Sequence, residues 1–273
     1  MANSEILDLK ILYEKLFSHY GSQGWWPLLD LKPEINPTQR GRYTGYHPND
    51  FNYPKNENQI FEVIIGTILA QNTSWVNAER ALWNLAQKNL ISEERLNSLS
   101  SDGLAQFIRS SGYFNQKAIK IQNVLRFLQE YPISSLKKFE ISELRSKLLA
   151  IKGVGPETAD SIILYAFNKP VFVVDSYTKR LISRLGLIPI KTTYDHIQNL
   201  FHTQLEADYH VYNEYHALIV QHCVHVCSSR PTCDSCFLNP NCRKIIQVKV
   251  KKKGKKKTRK QESKRNKRKK PSN

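Results

Sequence analysis

The chain has 273 residues, and 41 Lys and Arg against 24 Asp and Glu give it a formal net charge of +17. Five cysteines are too few for a disulfide-stapled scaffold, and the sequence has no apolar run of membrane-spanning length. Met1 is followed directly by an amphipathic segment and not by a signal peptide, so we expect a protein that is not secreted.

The positive charge is concentrated at the C-terminal end. Residues 249–273 contain 15 Lys and Arg and one Glu, without apolar periodicity. We therefore expect a disordered tail. It would tether nucleic acid or direct nuclear import, because dense positive charge attracts phosphate whatever the sequence. A merely solubilising tail is the alternative.

Most of the remaining chain has helical patterning. A first helix is predicted over residues 6–20, followed by an irregular proline-rich stretch over residues 27–54. Apolar residues recur at helical spacing from Phe61 onward and again between Ala118 and Leu128. These patterns predict a largely α-helical protein.

A short turn, Gly153-Val154-Gly155, lies between two apolar segments with helical spacing. Glycine lets the backbone approach another molecule closely, and Pro156 suits the first position of a helix. The turn and the helix start would expose N–H groups to a DNA phosphate. An ordinary corner between two helices is the alternative.

Asp175 ends the apolar run 171–174, twenty positions after Gly155. The run is short enough to be a strand or an extended linker. It could return an acidic side chain to the glycine turn. Alternatively, Asp175 only caps a helix that starts at Ser176.

Four cysteines lie close together near the C-terminal end, with the spacing C-x5-C-x2-C-x5-C: Cys227, Cys233, Cys236 and Cys242. Four thiolates in a short loop bind either zinc or a [4Fe–4S] cluster. The spacing alone leaves both open. The nearby His222 and His225 fit surface or core positions better than metal ligation.

These motifs, with Leu69-Ala-Gln71-Asn-Thr and Gly112-Tyr-Phe-Asn115-Gln-Lys-Ala118, resemble the endonuclease III superfamily of base-excision DNA glycosylases. This family is named for its helix-hairpin-helix and Gly-Pro-Asp motifs, and the resemblance runs from about residue 60 to 242. It implies an all-α, two-lobed fold. Residues 57–168 would form a six-helix barrel, and residues 1–56 with 169–245 a second helical lobe, with the cysteine loop at 227–242.

The resemblance also implies roles for the cysteines and for Asp175. The cysteines would hold a [4Fe–4S] cluster, with zinc as the alternative. The first cysteine gap is five residues here and six in the best-known members, so Cys223 could belong to a shifted ligand set, although packing in the preceding helix suits it better. Asp175 aligns with the family's catalytic aspartate, which stabilises positive charge on the sugar and activates water.

One position departs from the bifunctional members of the family. They carry a nucleophilic lysine two residues after the second turn glycine, where this chain has Glu157. Glutamate cannot form an imine with the sugar, so we expect base removal by water without strand cleavage. Lys152 is expected to contact a phosphate, and a displaced nucleophile is the alternative.

The aromatic residues suggest the substrate. Trp25, Trp26 and Pro27, together with Trp75, resemble the 3-methyladenine glycosylase branch, where aromatic walls stack on the extruded base. Aromatic faces attract cationic alkylated purines. Anchoring of a loop in the core is the alternative. No matching polar pocket residue is evident at Tyr215-His-Ala-Leu218.

Two further positions match residues that act on the duplex. Gln71 matches the residue that fills the space left by the extruded base, and Tyr113 matches a wedge. A polar residue at a helix end and a packed tyrosine are the alternatives. With Lys152 and the turn 153–155 they form the predicted DNA-binding set.

The expected partner is therefore double-stranded DNA that contains a damaged base, bound by a monomer away from membranes. The protein would act in the cytoplasm or nucleoid of a prokaryote, or in a nucleus. Two alternatives stay open: a bifunctional glycosylase/lyase acting on oxidised pyrimidines, and a non-catalytic DNA-binding module.

Overall fold

The computed structural model describes residues 7–31 and 45–245, in which all regular structure is helical. The α-helices are α1 (Leu9–Tyr20), α2 (Glu57–Ala70), α3 (Trp75–Gln87), α4 (Glu93–Asn97), α5 (Ser101–Phe107), α6 (Phe114–Glu130), α7 (Ile133–Leu136), α8 (Ile141–Ala150), α9 (Pro156–Tyr165), α10 (Ser176–Leu185), α11 (Tyr194–Gln204) and α12 (Tyr209–His225). Short 3₁₀ turns lie at Arg109–Ser111, Cys233–Ser235 and Asn239–Asn241. The prediction of an all-α fold is confirmed, and residues 171–174 form an extended connection.

Helix α2 is the central helix of the first half of the chain. It is buried on all sides from Gln59 to Leu69, as expected for a helix that is apolar around its whole circumference. It packs against α3, α6, α7 and α9. Helix α2 therefore provides the surface on which the hairpin helices are placed.

Helix α12 has the corresponding place in the second half. It packs against α1, α9 and α10, and α1 also contacts α11. Helix α9 thus contacts both α2 and α12, and the N-terminal helix lies with the C-terminal ones. The lobe boundaries at residues 56 and 168 stay a prediction.

Capping side chains decide where the first two helices begin. Asp8 accepts a hydrogen bond of 2.8 Å from the Ile11 N–H, so α1 begins at Leu9 and not at residue 6. Asn56 accepts one of 3.0 Å from the Gln59 N–H, which starts α2 four residues before Phe61. Both are ordinary N-caps, which satisfy N–H groups that the first helical turn leaves free.

The predicted basic tail, 249–273, lies outside the described residues. Within residues 7–31 and 45–245, no helix combines the length and the apolar character that a bilayer crossing requires.

A buried acid joins α2 to the N-terminal segment. Glu62 accepts a hydrogen bond of 2.9 Å from the Leu29 N–H, just after the Trp25–Pro27 segment. Burial raises the pKa of Glu62 to about 7, although the Leu29 hydrogen bond opposes this. The folded protein therefore holds a proton on Glu62 at a pH where the unfolded chain has lost it.

This difference predicts a pH dependence of stability. The contribution of Glu62 is fully present below its ordinary pKa of 4.5 and is lost as the pH rises towards about 7. Relative to Glu62→Gln, the wild-type free energy of unfolding should fall by up to about 1.4 kcal/mol per pH unit across this window. Urea unfolding at pH 5, 6, 7 and 8 measures it. The exposed Glu94→Gln is the control, and parallel curves for wild type and Glu62→Gln would contradict the assignment.

Candidate active site

The glycine turn predicted from the sequence joins α8 to α9. The Val154 N–H donates to the Ile151 carbonyl at 3.0 Å, and Gly155 precedes Pro156 at the start of α9. Gly153 has φ +103°, and a Cβ atom there would lie 2.5 Å from the Cγ of Lys120. Glycine is therefore required at 153 both by the backbone conformation and by the close approach of α6.

A cavity of about 520 Å³ opens beside this hairpin. Its walls come from the α2–α3 connection, α9, α12, residues 173–177 and the N-terminal segment. The side chains that give it its chemical character are Trp25, Trp26, Trp75, Glu157, Asp175 and His216. Residues 150 positions apart in the chain thus meet in one cavity. Pro27 is buried but does not line it.

Three tryptophans form the aromatic wall of the cavity. The ring of Trp26 meets that of Trp75 edge to face with centroids 5.0 Å apart, and Trp25 lies 6.0 Å from Trp26 and 6.2 Å from Trp75. Asn213 donates to the Trp25 carbonyl and His47 to the Trp26 carbonyl, each at 2.9 Å. Trp25 and Trp26 are thus fixed to the core and also line the cavity, so the two interpretations of this pair are compatible.

A buried glutamate on α12 holds the segment before these tryptophans. Glu214 accepts hydrogen bonds from the N–H groups of Gln23 at 2.8 Å and Gly24 at 3.0 Å, and from the Ser22 hydroxyl at 3.0 Å. One carboxylate therefore satisfies two buried backbone donors that the irregular segment leaves without a helical partner. It fixes the path of the chain into the cavity wall.

Asp175 lies at the start of α10 with its carboxylate at the cavity. Its Oδ1 accepts from the Thr178 N–H at 2.7 Å and from the Thr178 hydroxyl at 2.9 Å, and its Oδ2 lies 3.8 Å from the Nε2 of His216. Burial acts to raise the pKa of Asp175, but His216 and the two Thr178 hydrogen bonds outweigh it and hold the pKa below its usual value. Asp175 is therefore a helix cap and an ionised carboxylate in the cavity at once.

His216 is the polar cavity residue that the sequence analysis did not find. It lies on α12, and the hydroxyl of the buried Tyr165 is hydrogen-bonded to its Nδ1 at 2.6 Å. Burial, followed by the charges of Asp175 and Glu214, keeps the pKa of Tyr165 well above 10, so this phenol stays protonated. In the tautomer in which the phenol donates to Nδ1, the ring proton lies on Nε2, which faces Asp175 at 3.8 Å. The sequence gives no signal for this, since His216 lies in an otherwise ordinary buried helix.

Glu157 lines the same cavity from the first turn of α9. Although its side chain reaches solvent, burial raises its pKa, and the negative charge of Asp175 raises it further. His216 and Lys179 oppose the shift. The cavity thus contains one carboxyl group whose pKa is lowered and one whose pKa is raised.

The buried carboxylate of Asp160 ties the hairpin to the segment that carries Asp175. Asp160 pairs with Arg145 of α8 at 2.7 Å and accepts from the Tyr194 hydroxyl and the Gln198 amide of α11, each at 2.7 Å. The same amide donates to the Phe172 carbonyl at 2.8 Å. One network therefore sets the position of the extended segment 171–174 relative to α8 and α9.

Comparison with known proteins identifies the family of this chain. The family model of the HhH-GPD superfamily base excision DNA repair proteins matches residues 65–206. A Methanocaldococcus jannaschii protein named as a DNA repair glycosylase is 39% identical over 235 residues, which cover 85% of this chain and 94% of that relative. The chain belongs to the HhH-GPD superfamily. It is a DNA glycosylase of base excision repair, and its partner is DNA.

Other members of the superfamily are similar at lower identity. Endonuclease III of Sulfolobus acidocaldarius is 31% identical over 67% of this chain and 82% of its own length. The structure of H. pylori 3-methyladenine DNA glycosylase bound to 1,N6-ethenoadenine is 28% identical, with a TM-score of 0.52 over 59% of this chain and 83% of that one. A trapped endonuclease III–DNA covalent intermediate is 19% identical, with a TM-score of 0.64 over 86% of this chain and 94% of that one. At this identity the similarity shows the fold alone.

Among the predicted DNA-binding residues of this HhH-GPD protein, Gln71 lines the cavity, whereas Tyr113, Lys152 and the turn 153–155 do not. The Gln71 amide nitrogen donates to the Gly153 carbonyl at 3.1 Å and to the Thr158 hydroxyl at 2.9 Å, so Gln71 is attached to the hairpin. Tyr113 is 68% exposed just before α6. Lys152 is exposed, and its carbonyl accepts from Asn123 at 2.7 Å. Their DNA-binding roles stay predictions.

The four cysteines of the C-terminal loop line one small cavity of about 30 Å³, next to α10 and the end of α12. The Cys223 thiol and the Arg184 guanidinium donate to Cys227 and lower its pKa to about 6 despite its burial. Cys223 itself is buried in α12 and does not line this cavity. Among the described residues, however, no three His, Cys, Asp or Glu side chains are close enough to hold a metal ion. The [4Fe–4S] cluster therefore stays a prediction.

The role of Glu214 can be tested by truncation. Glu214→Ala leaves the N–H groups of Gln23 and Gly24 buried without an acceptor, which should lower the free energy of unfolding by about 2–4 kcal/mol. Tryptophan emission should shift to longer wavelength before global unfolding, because Trp25 and Trp26 gain contact with water. Urea titrations followed by fluorescence and circular dichroism measure both effects. Glu206→Ala, at an exposed position, is the matched control. Equal unfolding midpoints for the two variants would contradict this role.

Proposed function

We propose that this glycosylase is monofunctional: it hydrolyses the N-glycosidic bond of a damaged, alkylated purine and leaves an intact abasic strand. The observation that carries the proposal is one cavity lined by three tryptophans and an ionised Asp175, with Glu157 where a lyase would need lysine. The flipped base would stack on the tryptophans, and its sugar would face Asp175.

Asp175 has the properties that the hydrolysis requires. As the bond to the base breaks, positive charge develops on the deoxyribose, and a buried carboxylate stabilises it strongly because little water screens the interaction. The carboxylate can also accept a proton from the attacking water. His216 supports this role, since its Nε2 faces Oδ2 and favours the ionised form of Asp175.

Glu157 argues against a covalent mechanism. A lyase forms an imine between a lysine amine and the sugar, and a carboxyl group cannot do so. The exposed Lys152 does not line the cavity, so it does not replace the missing amine. The bifunctional glycosylase/lyase mechanism needs such an amine, so it ranks as the second candidate function.

The chemistry of the cavity favours a cationic base. Alkylation at N3 or N7 gives a purine a positive charge, which aromatic faces attract by about 0.5–2 kcal/mol beyond stacking. The ionised carboxylate of Asp175 adds attraction of the same sign. A cationic base is also a good leaving group. The similarity to the H. pylori 3-methyladenine DNA glycosylase supports this substrate class.

We also propose that Cys227, Cys233, Cys236 and Cys242 hold a [4Fe–4S] cluster, with zinc as the alternative. Two features fit such a group: the four thiols line a single small cavity, and Arg184 donates to a Cys227 thiol with a lowered pKa, which favours the thiolate that binds metals. When bound, the cluster would cross-link the loop 227–242 and order it for contact with DNA.

The mechanism is tested by Asp175→Asn. Asparagine caps a helix as well as aspartate does, so α10 should be preserved while the negative charge is lost. Single-turnover release of bases from methylated duplex DNA, identified by mass spectrometry, should fall on the order of 10²–10³-fold, with DNA binding largely unchanged. Glu157→Gln is the control and should cost less than about tenfold. Release by Asp175→Asn near the wild-type rate would contradict the assignment.

Two further measurements separate the monofunctional glycosylase from the two alternative functions. Borohydride trapping of the wild type on abasic DNA would establish the bifunctional mechanism. Binding to an abasic analogue with no base released from any damaged duplex would indicate a non-catalytic module.

The proposed [4Fe–4S] cluster is tested by measuring the iron and zinc content of the purified protein. Protein purified without oxygen should be brown and contain about four irons per chain. Cys236→Ser should lose iron, whereas Cys223→Ser should keep it, because Cys223 lies outside the cysteine cavity. Elemental analysis and absorption spectra measure this. A colourless protein with one zinc would establish the alternative, and loss of iron in Cys223→Ser would establish the shifted ligand set.

A further inference from the structure

A lysine is buried between two segments of the predicted DNA-binding face. One carries Gln71, the predicted plug that would fill the space left by the extruded base, and the other carries Tyr113, the predicted wedge. Lys117, on the first turn of α6, is 1% exposed. Its ammonium group donates to the carbonyl of Leu69 at 2.7 Å and to the carbonyl of Ser111 at 2.7 Å. Neither acceptor is a carboxylate, so the positive charge is stabilised only by backbone dipoles in these contacts.

The two carbonyls share a structural position. Leu69 is in the last turn of α2, and Ser111 ends the 3₁₀ turn 109–111. Carbonyls at helix ends have no partner within their own helix and carry partial negative charge. One ammonium group therefore caps two helix ends that come from different parts of the chain.

Each capped end leads directly into a predicted DNA-binding residue. Gln71 follows Leu69 by two positions, and Tyr113 follows Ser111 by two positions. Tyr113 has φ +45° and is 68% exposed, so it projects from the protein. A polar cavity of about 320 Å³ separates the two segments, with Lys117 and Lys120 in its lining.

Stability alone is a poor reason for a charge at this position. Burial lowers the pKa of Lys117 to about 8, with a smaller contribution from the positive charge of Lys120. Lys117 has no carboxylate partner in these contacts to offset the cost of desolvating its charge, and without it the two carbonyls would each lose a donor. What an apolar side chain cannot do is hold two carbonyls at a fixed separation.

We propose that Lys117 is a positioning residue that sets the spacing between Gln71 and Tyr113, so that both enter the duplex together when a base is extruded. This inference rests on the proposed function and on the sequence-based prediction that Gln71 fills the space left by the extruded base and Tyr113 acts as a wedge. Lys117 would act before the chemical step and would not touch the reacting atoms.

A second lysine on α6 supports this arrangement. The Lys120 ammonium donates to the Gln71 side-chain oxygen at 2.5 Å. Lys117 thus fixes the backbone before Gln71, and Lys120 fixes its side chain. Removing Lys117 should let the α2 end and the Tyr113 segment move relative to each other, although both side chains remain.

The test compares two DNA substrates. One carries the alkylated base in a fully paired duplex, and the other carries it unpaired in a bulge, where extrusion costs less. Lys117→Met should lower the single-turnover rate on the paired duplex by about tenfold or more relative to the bulge, since extruding a paired base costs a few kcal/mol. Lys138→Met, at an exposed position, removes the same charge and should leave the ratio of the two rates unchanged.

Lys117→Arg separates spacing from charge. Arginine keeps the charge and the donors, but its larger planar head should force the two carbonyls apart. The ratio of the rate on the paired duplex to the rate on the bulge should therefore fall here as well. If Lys117→Met is recovered only in unfolded form, Lys117→Arg provides the test of the proposal in its place. A wild-type ratio in the folded variants, or an equal loss on both substrates, would overturn the proposal and leave Lys117 a structural residue.

A fluorescence readout separates this inference from the proposed function. 2-Aminopurine beside a tetrahydrofuran abasic analogue brightens when it is unstacked, without base excision. Wild type and Lys138→Met should give the enhancement, and the Lys117 variants should bind this duplex but lose most of it. If wild type releases no base from either substrate, the proposed function fails while this measurement still tests Lys117. Full enhancement with the Lys117 variants would overturn the inference.

Discussion

The structure around the cavity depends on keeping a carboxylate ionised inside a helical protein. Asp175 is buried at the start of α10, where the Thr178 N–H and hydroxyl and the nearby His216 outweigh the cost of desolvation. These groups come from two helices, and the segment before Asp175 is held by a third. The packing of α9 and α10 against α12, with α11 hydrogen-bonded to α9, is therefore also what places the charge.

Buried polar side chains organise the other parts of the site in the same way. Glu214 satisfies the backbone before Trp25, Asp160 joins the hairpin to α11, and Lys117 caps two helix ends beside the predicted DNA-binding face. Each fixes irregular backbone, which carries hydrogen-bonding groups that no helix satisfies. The apolar core gives stability, whereas these few polar contacts set distances between elements far apart in sequence.

The cavity combines two carboxyl groups with opposite tendencies. Asp175 has a lowered pKa and Glu157 a raised one, because Glu157 is desolvated and lies near the charge of Asp175. Two acids in one site with pKa values driven apart are a common basis for dividing roles. Here the division agrees with a single catalytic carboxylate, and Glu157 keeps the position free of an amine.

Much of the fold could be predicted from local pattern. Helical spacing around Phe61 and Ala118, the Gly153–Gly155 turn with Pro156 and the clustered cysteines are short-range signals. The helical spacing predicted a largely helical chain, and the family resemblance implied the all-α fold. The start of α1 was missed by a few residues because a single cap, Asp8, decides it. The resemblance to a known family supplied the candidate residues, including Trp25, Trp26, Trp75 and Asp175.

The sequence by itself determined that the chain is largely helical, where the hairpin lies and which family it resembles, because these depend on neighbouring residues or on motifs. Only the tertiary structure decided that His216 faces Asp175, that Pro27 turns away from the cavity and that Lys117 joins two helix ends. The reason is physical. Such contacts join residues that are far apart in the sequence, by 48 positions for Lys117 and Leu69, and burial and hydrogen-bond partners arise only when helices pack.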